Sequence, residues 1–195
     1  MTTNVMIVGV GGQGSLLASK LLGHVVMQKG FDVKVSEVHG MSQRGGSVVT
    51  YVRFGDKVYS PIIDKGEADY IVSFETLEAA RYMEYLKPGG KVIVNAQEID
   101  PMPVITGAAE YPEGLIDKMK EAGADVDAMD ALGLAVEAGS SKATNIVLMG
   151  RVSKYFEDMG TLEITREDWE KSLEACVPSK FLELNKKAFE LGRGE

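Results

Sequence analysis

Three glycines near the start of the chain constrain the fold more than anything after them. Val5-Met6-Ile7-Val8 is a short apolar run, and Gly9-Val10-Gly11-Gly12-Gln13-Gly14 follows it directly. The run has the character of a strand buried on both faces. Gly9, Gly11 and Gly14 stand at G-x-G-x-x-G spacing. Behind them, from Ser15 to Gly30, Leu16, Leu17, Leu21, Val25 and Met27 recur at roughly helical intervals. The expectation is therefore a strand, a tight turn and a helix N-terminus. Glycine permits such a turn and lets a ligand or another backbone come close. The N–H groups and the dipole of the helix suit an anion. The same glycines serve close packing equally well, and the loop alone leaves the two readings even.

The rest of the composition narrows the class. At 195 residues the chain is expected to form a single domain, 1–195, with a sizeable core. Its 21 basic residues are outweighed by 29 acidic ones, for a net charge of −8. That balance argues against sequence-independent binding to nucleic acid or to an anionic membrane surface. No apolar run reaches the roughly 18–20 residues that a membrane span needs. The N-terminus enters a strand with no basic region before it, so no signal peptide is expected. The one cysteine, Cys176, excludes an intramolecular disulfide and fits a reducing, cytoplasmic setting. One thiol also excludes a cysteine-held iron–sulfur cluster within this chain. His24, His39 and Cys176 are too scattered for a zinc site, so no metal is expected.

Along the chain, Val33, Val35 and Val38 mark a second strand. A dinucleotide-binding unit would want an acid near its end to hold a ribose, and Glu37 is placed for that. The pattern then departs. His39-Gly40-Met41-Ser42-Gln43-Arg44-Gly45-Gly46 is a polar loop, and Ser47 to Phe54 is again a strand. Eight loop residues are too few for a crossover helix. The strands at 33–38 and 47–54 are thus expected to run antiparallel, or the second to lie at a sheet edge. Gly55-Asp56 suggests a hairpin turn, with Lys57 to Tyr59 returning. Strands are expected at 69–74 and 91–95, with a helix over 75–85 between them, ended by Pro88-Gly89-Gly90. Val104 to Thr106 suggests a short edge strand, 113–122 a helix, 124–128 a last strand and 130–138 a short helix. The last third reads as helical, over 143–158, 165–177 and from Pro178 to Leu191, with Thr165 as an N-cap.

The residues that folding explains least are in the 39–46 loop. His39, Gln43 and Arg44 sit with Gly40, Gly45 and Gly46. A guanidinium beside bare backbone N–H groups suits a phosphate or a carboxylate. Asn145, one turn into an apolar helix, is expected to be a buried anchor, with a ligand-facing role as the alternative. Asn95 suits either a ligand at a strand end or a turn. Cys176 reads as an inert apolar residue and Trp169 as helix packing. No nucleophilic triad and no G-x-x-x-x-G-K-[ST] loop are present.

Taken in this order, Gly9-Val10-Gly11-Gly12-Gln13-Gly14 and Ser36-Glu37-Val38-His39-Gly40-Met41-Ser42-Gln43-Arg44-Gly45-Gly46-Ser47 resemble the gamma-type subunit or domain of the 2-oxoacid:ferredoxin oxidoreductases. The resemblance covers roughly residues 4 to 190. Ala68 to Glu75 and Ala143 to Gly150 also look like family segments. It implies a three-layer, Rossmann-like α/β domain with a mixed, mainly parallel sheet and a helical C-terminal third. It implies an accessory subunit of an enzyme that oxidatively decarboxylates an aryl 2-oxoacid with thiamine diphosphate and coenzyme A, and reduces ferredoxin. In that family the small subunit binds neither the thiamine nor the clusters, which places them on a large (alpha) subunit. This sequence agrees, since the G-D-G…N-N thiamine motif is absent. The site residues expected to bind a cofactor or close the active site are Gly9, Gly11, Gly12, Gln13, Gly14, His39, Gln43, Arg44, Gly45, Gly46 and Asn145. Self-association of the isolated chain stays open. The rival readings are a free-standing NAD(P)-dependent oxidoreductase, built on the glycine loop and Glu37, and a non-enzymatic binding module.

Overall fold

The computed structural model describes residues 2–40, 45–159 and 162–194. It contains a six-stranded sheet of β1 (Thr2–Val10), β2 (Asp32–His39), β3 (Ser47–Gly55), β4 (Ala68–Ser73), β5 (Leu86–Asn95) and β6 (Asp125–Met129), in the order β2-β3-β1-β4-β5-β6. β1, β4, β5 and β6 are parallel neighbours, while β3 runs antiparallel to both β1 and β2. The helices are α1 (Ser15–Gln28), α2 (Thr76–Arg81), α3 (Met102–Ile105), α4 (Leu115–Glu121), α5 (Ala131–Ala138), α6 (Thr144–Met159), α7 (Arg166–Cys176) and α8 (Leu182–Arg193).

The pleat of β1 explains the layers, because successive side chains point to opposite faces. Val5 and Ile7 pack into a core with α1, α5, α6, α7 and α8, whereas Met6 and Val8 enter a second core with α2 and α4. A strand apolar at every position thus buries both faces, and the result is the expected three-layer α/β domain. The larger core holds an aromatic chain in which Phe156 contacts Phe54, Tyr70 and Trp169, and Trp169 contacts Phe189. Thr165 and Asp168 close a capping box at the start of α7.

Several local expectations are corrected. Of the antiparallel pair, β2 and not β3 lies at the edge. Lys57 to Tyr59 forms no returning strand, because β3 already has β1 and β2 as partners. Instead Val58 N–H donates to Asp32 Oδ2 at 3.0 Å, and Arg53 takes the carbonyls of Ser60 and Ile62. The helix expected over 75–85 is shorter: α2 ends at Arg81 and a 3-10 turn spans Met83–Tyr85. β5 then begins at Leu86, so Pro88-Gly89-Gly90 lies within it. There the pairing with β4 jumps from Ala68↔Leu86 to Tyr70↔Lys91, an irregularity that absorbs the proline. Val104 to Thr106 belongs to no strand. Met102–Ile105 is a helical turn started by Pro101, whose carbonyl accepts from Val104 and Ile105. Pro178 opens a 3-10 turn, Ser179–Phe181, and α8 follows it.

Candidate functional site

β1 leads through α1 to one side of the sheet, and β4 leads through α2 to the other. The crevice beyond the C-terminal ends of β1 and β4 is therefore a topological switch point, the usual place for a ligand in an open α/β sheet. The glycine loop sits in it. Gly12 and Gly14 have φ of 104° and 89°, where a side chain is strained. Gly9 is needed for closeness instead: a Cβ there would lie 2.8 Å from Gln13 Oε1 and 3.0 Å from Phe74. Gln13 spans its own loop. Its Oε1 accepts from Val10 N–H at 2.7 Å, and its Nε2 donates to the Phe74 carbonyl at 3.3 Å.

Asn145 is the anchor that its setting suggests. It is buried, its Nδ2 donates to the Gly14 carbonyl at 3.2 Å, and a Cβ on Gly14 would press that nitrogen at 2.6 Å. The second glycine-bearing loop meets the first. Gly11 N–H donates to the Gly46 carbonyl at 2.8 Å, and Gly45 N–H returns to the Gly11 carbonyl at 3.4 Å. The structure therefore brings Gly9, Gly11, Gly12, Gln13, Gly14, Gly45, Gly46 and Asn145 together. Gln43 and Arg44 lie outside the described residues.

Two clefts flank the glycine loop. One, of about 370 Å³, lies between Gly11, Gly12, Ser15, Glu37, His39 and Val48. His39 is exposed at its rim. Glu37 Oε2 accepts from the hydroxyls of Ser15 and Thr50, each at 3.1 Å. The other, of about 410 Å³, lies on the far side of the loop and is lined by Gln97, Ile99, Ser141, Lys142 and Thr144. Lys142 and Gln97 look like ordinary surface residues in the sequence, and no spacing marks them. Asn95 is buried and ties strand ends together. Its Nδ2 donates to the Phe74 carbonyl at 3.1 Å, and its Oδ1 accepts from Leu132 N–H at 3.2 Å.

Two buried carboxylates stand at the head of α2. Glu75 caps α2, its Oε2 accepting from Glu78 N–H at 2.8 Å. Its Oε1 accepts from Ile99 N–H at 3.1 Å and from the Tyr111 hydroxyl. Burial, and then the bond to Glu75, raise the Tyr111 hydroxyl well above the usual phenol range. Glu78 Oε2 accepts from the Ser47 hydroxyl at 2.5 Å, and Arg81 lies 3.6 Å from Oε1. Burial pushes the Glu78 carboxyl up. Elsewhere, Cys176 is buried and its thiol is raised by burial. His24 contacts Ser172 Oγ at 3.0 Å within helix packing. Among the described residues, no group of three His, Cys, Asp or Glu side chains could hold a metal ion, and no helix is long and apolar enough to cross a membrane.

Residues 4–195 match the model of the family described as pyruvate ferredoxin/flavodoxin oxidoreductase. The chain is 45% identical over 194 residues to indolepyruvate oxidoreductase subunit IorB of Thermococcus kodakarensis, covering 97% of this chain and 93% of that one. It is 38% identical to the subunit of the same name from Archaeoglobus fulgidus, covering 98% and 94%. Among solved structures, its fold is similar to the gamma subunit of a keto/oxoacid ferredoxin oxidoreductase from Geobacter sulfurreducens. The TM-score is 0.70 at 23% identity, with 97% of this chain and 95% of that chain covered.

Proposed function

The chain belongs to the pyruvate ferredoxin/flavodoxin oxidoreductase family, alongside the small indolepyruvate oxidoreductase subunits, and on that premise we propose that it is the accessory subunit of an aryl 2-oxoacid:ferredoxin oxidoreductase. The whole enzyme takes indolepyruvate or a related oxoacid and coenzyme A to acyl-CoA and carbon dioxide, and the electron pair released goes to ferredoxin. One cysteine cannot supply the thiolates of a cluster, and no thiamine diphosphate motif is present. Both groups are therefore assigned to a large subunit. The thiamine would supply the carbanion chemistry, and the clusters the electron path. A reducing cytoplasm suits the unpaired Cys176.

The observation that carries the reading is the lock between Gly11 and Gly46. It joins two glycine-bearing loops into one rim at the strand ends, with a cleft of about 370 Å³ on one side and one of about 410 Å³ on the other. Such a rim can close over an anionic substrate held mainly by a partner. Arg44, His39 and Gln43 are assigned to orient the oxoacid carboxylate or a coenzyme A phosphate. Lys142 is suited to hold negative charge from the other side of the loop.

The dehydrogenase reading has less support. Gly11 N–H, which a pyrophosphate would use, is already bonded to Gly46. Glu37 is engaged by two hydroxyls. The antiparallel hairpin β2–β3 stands where a crossover helix would follow. The test is reconstitution. The isolated chain should be colourless and inert with indolepyruvate, coenzyme A and an artificial acceptor, and active once combined with the large subunit. Turnover by this chain alone would overturn the proposal. A calorimetric dissociation constant for NAD(H) in the micromolar range, about −8 kcal/mol, would restore the dehydrogenase.

A further inference from the structure

Between β5 and α4 the chain makes an excursion that its own core does not explain. Met102 and Ile105 are 64% and 65% exposed, with Pro103, Ala108 and Ala109 exposed around them. The backbone beneath them is nonetheless fully organised. Val104 and Ile105 donate to the Pro101 carbonyl, Thr106 to Met102, and Ala108 and Ala109 to Pro103, all at 2.8–3.1 Å. Both feet of the excursion are held by one carboxylate oxygen. Glu75 Oε1 accepts from Ile99 N–H at the outgoing foot and from the Tyr111 hydroxyl at the returning foot. An unneeded surface loop has no reason to be clamped at both ends by a buried acid. An arm that must present two apolar side chains in a fixed geometry does, because preorganisation lowers the entropy lost on docking.

We infer that residues 98–112 form a docking arm, with Met102 and Ile105 as its anchors. Its occupant is a cleft on the large subunit with an apolar floor and a basic rim. The charge pattern indicates the rim. Residues 96–114 contain Glu98, Asp100, Glu110 and Glu113, and no lysine or arginine. All four acids are exposed around the apolar pair. The position is also suitable. The arm walls a cavity of about 300 Å³ together with Val10, Gly45, Gly46 and Ser47, so a partner gripping it lies beside the two glycine loops. The inference rests on the proposed function, which supplies the large subunit.

The test uses the two-subunit complex, with association of the purified chains measured by titration. Met102→Asp with Ile105→Asp should weaken association at least ten-fold. Met27→Asp, an equally exposed position (61%) at the far end of α1, should bind like wild type. Tyr111→Phe keeps the anchors and frees one foot, so it should weaken binding several-fold. Replacing the four acids by their amides should flatten the salt dependence of association. Circular dichroism and melting verify folding, and Met102→Ala with Ile105→Ala serves if the double aspartate variant does not fold. Association of the double variant within two-fold of wild type overturns the inference alone, as does an equal loss with Met27→Asp. If the isolated chain dimerises and the double variant loses only that dimer, the arm binds a second copy and the inference fails. If the wild-type chain does not associate with the large subunit at all, the proposed function falls and this inference with it.

Discussion

The layer formed by α6 and α8 and the rim at the strand ends treat apolar surface in opposite ways and use glycine differently. In the helical layer the glycines bring backbones together. A Cβ on Gly192 would lie 1.9 Å from the Val147 carbonyl oxygen, and one on Gly150 would lie 2.1 Å from that of Phe189. Ile146, Val147, Met149, Val152 and Phe189 around them are fully buried. At the rim Gly9 and Gly14 also admit close neighbours, but Gly12 stands clear of any neighbour between two clefts, and Met102 and Ile105 are exposed. The facing sides of α6 and α8 are spent on each other, whereas the rim keeps exposed apolar side chains in defined positions. In the proposed assembly, stability rests mainly on the first region and recognition on the second. Substitutions should therefore separate the two kinds of effect.

The largest expected effect is on the helical layer. Gly192→Ala forces the helices apart and should destabilise the chain by about 3 kcal/mol. The denaturant midpoint measures this, and a loss below about 1 kcal/mol would show that the layer yields easily. The molecules that stay folded should still assemble normally. The next effect falls on the 39–46 loop and should reverse that outcome. Arg44→Ala should leave stability within about 0.5 kcal/mol of wild type. In the reconstituted complex it should lower kcat/KM about ten- to a hundred-fold, the equivalent of roughly 1.5–3 kcal/mol for a lost charge-assisted hydrogen bond. Arg44→Lys should restore part of this, since lysine keeps the charge but not the planar fork. Varying coenzyme A and oxoacid separately identifies the anion. Unchanged kinetics would reduce the 39–46 loop to a turn.

Asn145→Ala tests where the two regions meet, because α6 reaches the glycine loop through this side chain. It should cost about 1–2 kcal/mol of stability and also raise KM in the complex. A change in stability with no change in KM would show that the rim does not depend on its anchor. The smallest effect is a pH dependence at Glu78. Its carboxyl is raised by burial, so the folded chain binds that proton more readily than the unfolded chain. Its contribution to stability is full below the unfolded value of 4.5 and is lost as pH rises through the raised folded value. Glu78→Gln keeps an acceptor for Ser47 and never ionises. Its stability relative to wild type should therefore improve from acid to neutral pH, and a flat difference in pH-resolved melting would contradict this.

How much of this was legible depended on how far apart the cooperating residues lie. The strand, glycine turn and α1 are local, and so is the absence of a crossover helix after Glu37, which leaves an antiparallel β2–β3 pair or an edge position for β3, and the pair is antiparallel. Asn145 was legible as an anchor because a lone amide in an apolar helix needs a partner. Thr165 was legible because its capping acid follows within one turn. The start of β5 at Leu86 was not, since a proline and two glycines inside a strand read locally as a stop. Gly150 and Gly192 gave no signal, because their meaning lies on a facing helix. Glu75 and Tyr111 are 36 residues apart and look like ordinary surface residues until the sheet brings them together. Lys142 and Gln97 carry no local signal for the same reason.

The shared oxygen of Glu75 has a consequence for local opening. One carboxylate receives Glu78 N–H at the head of α2, Ile99 N–H at one foot of the excursion and the Tyr111 hydroxyl at the other, and that hydroxyl in turn accepts from Leu77 N–H at 3.1 Å. Breaking any bond to Glu75 leaves a buried acid with one partner fewer, which is costly. The first turn of α2 and the arm should therefore open as one unit, so that the amide protons of Leu77, Glu78 and Ile99 report one opening free energy in hydrogen exchange.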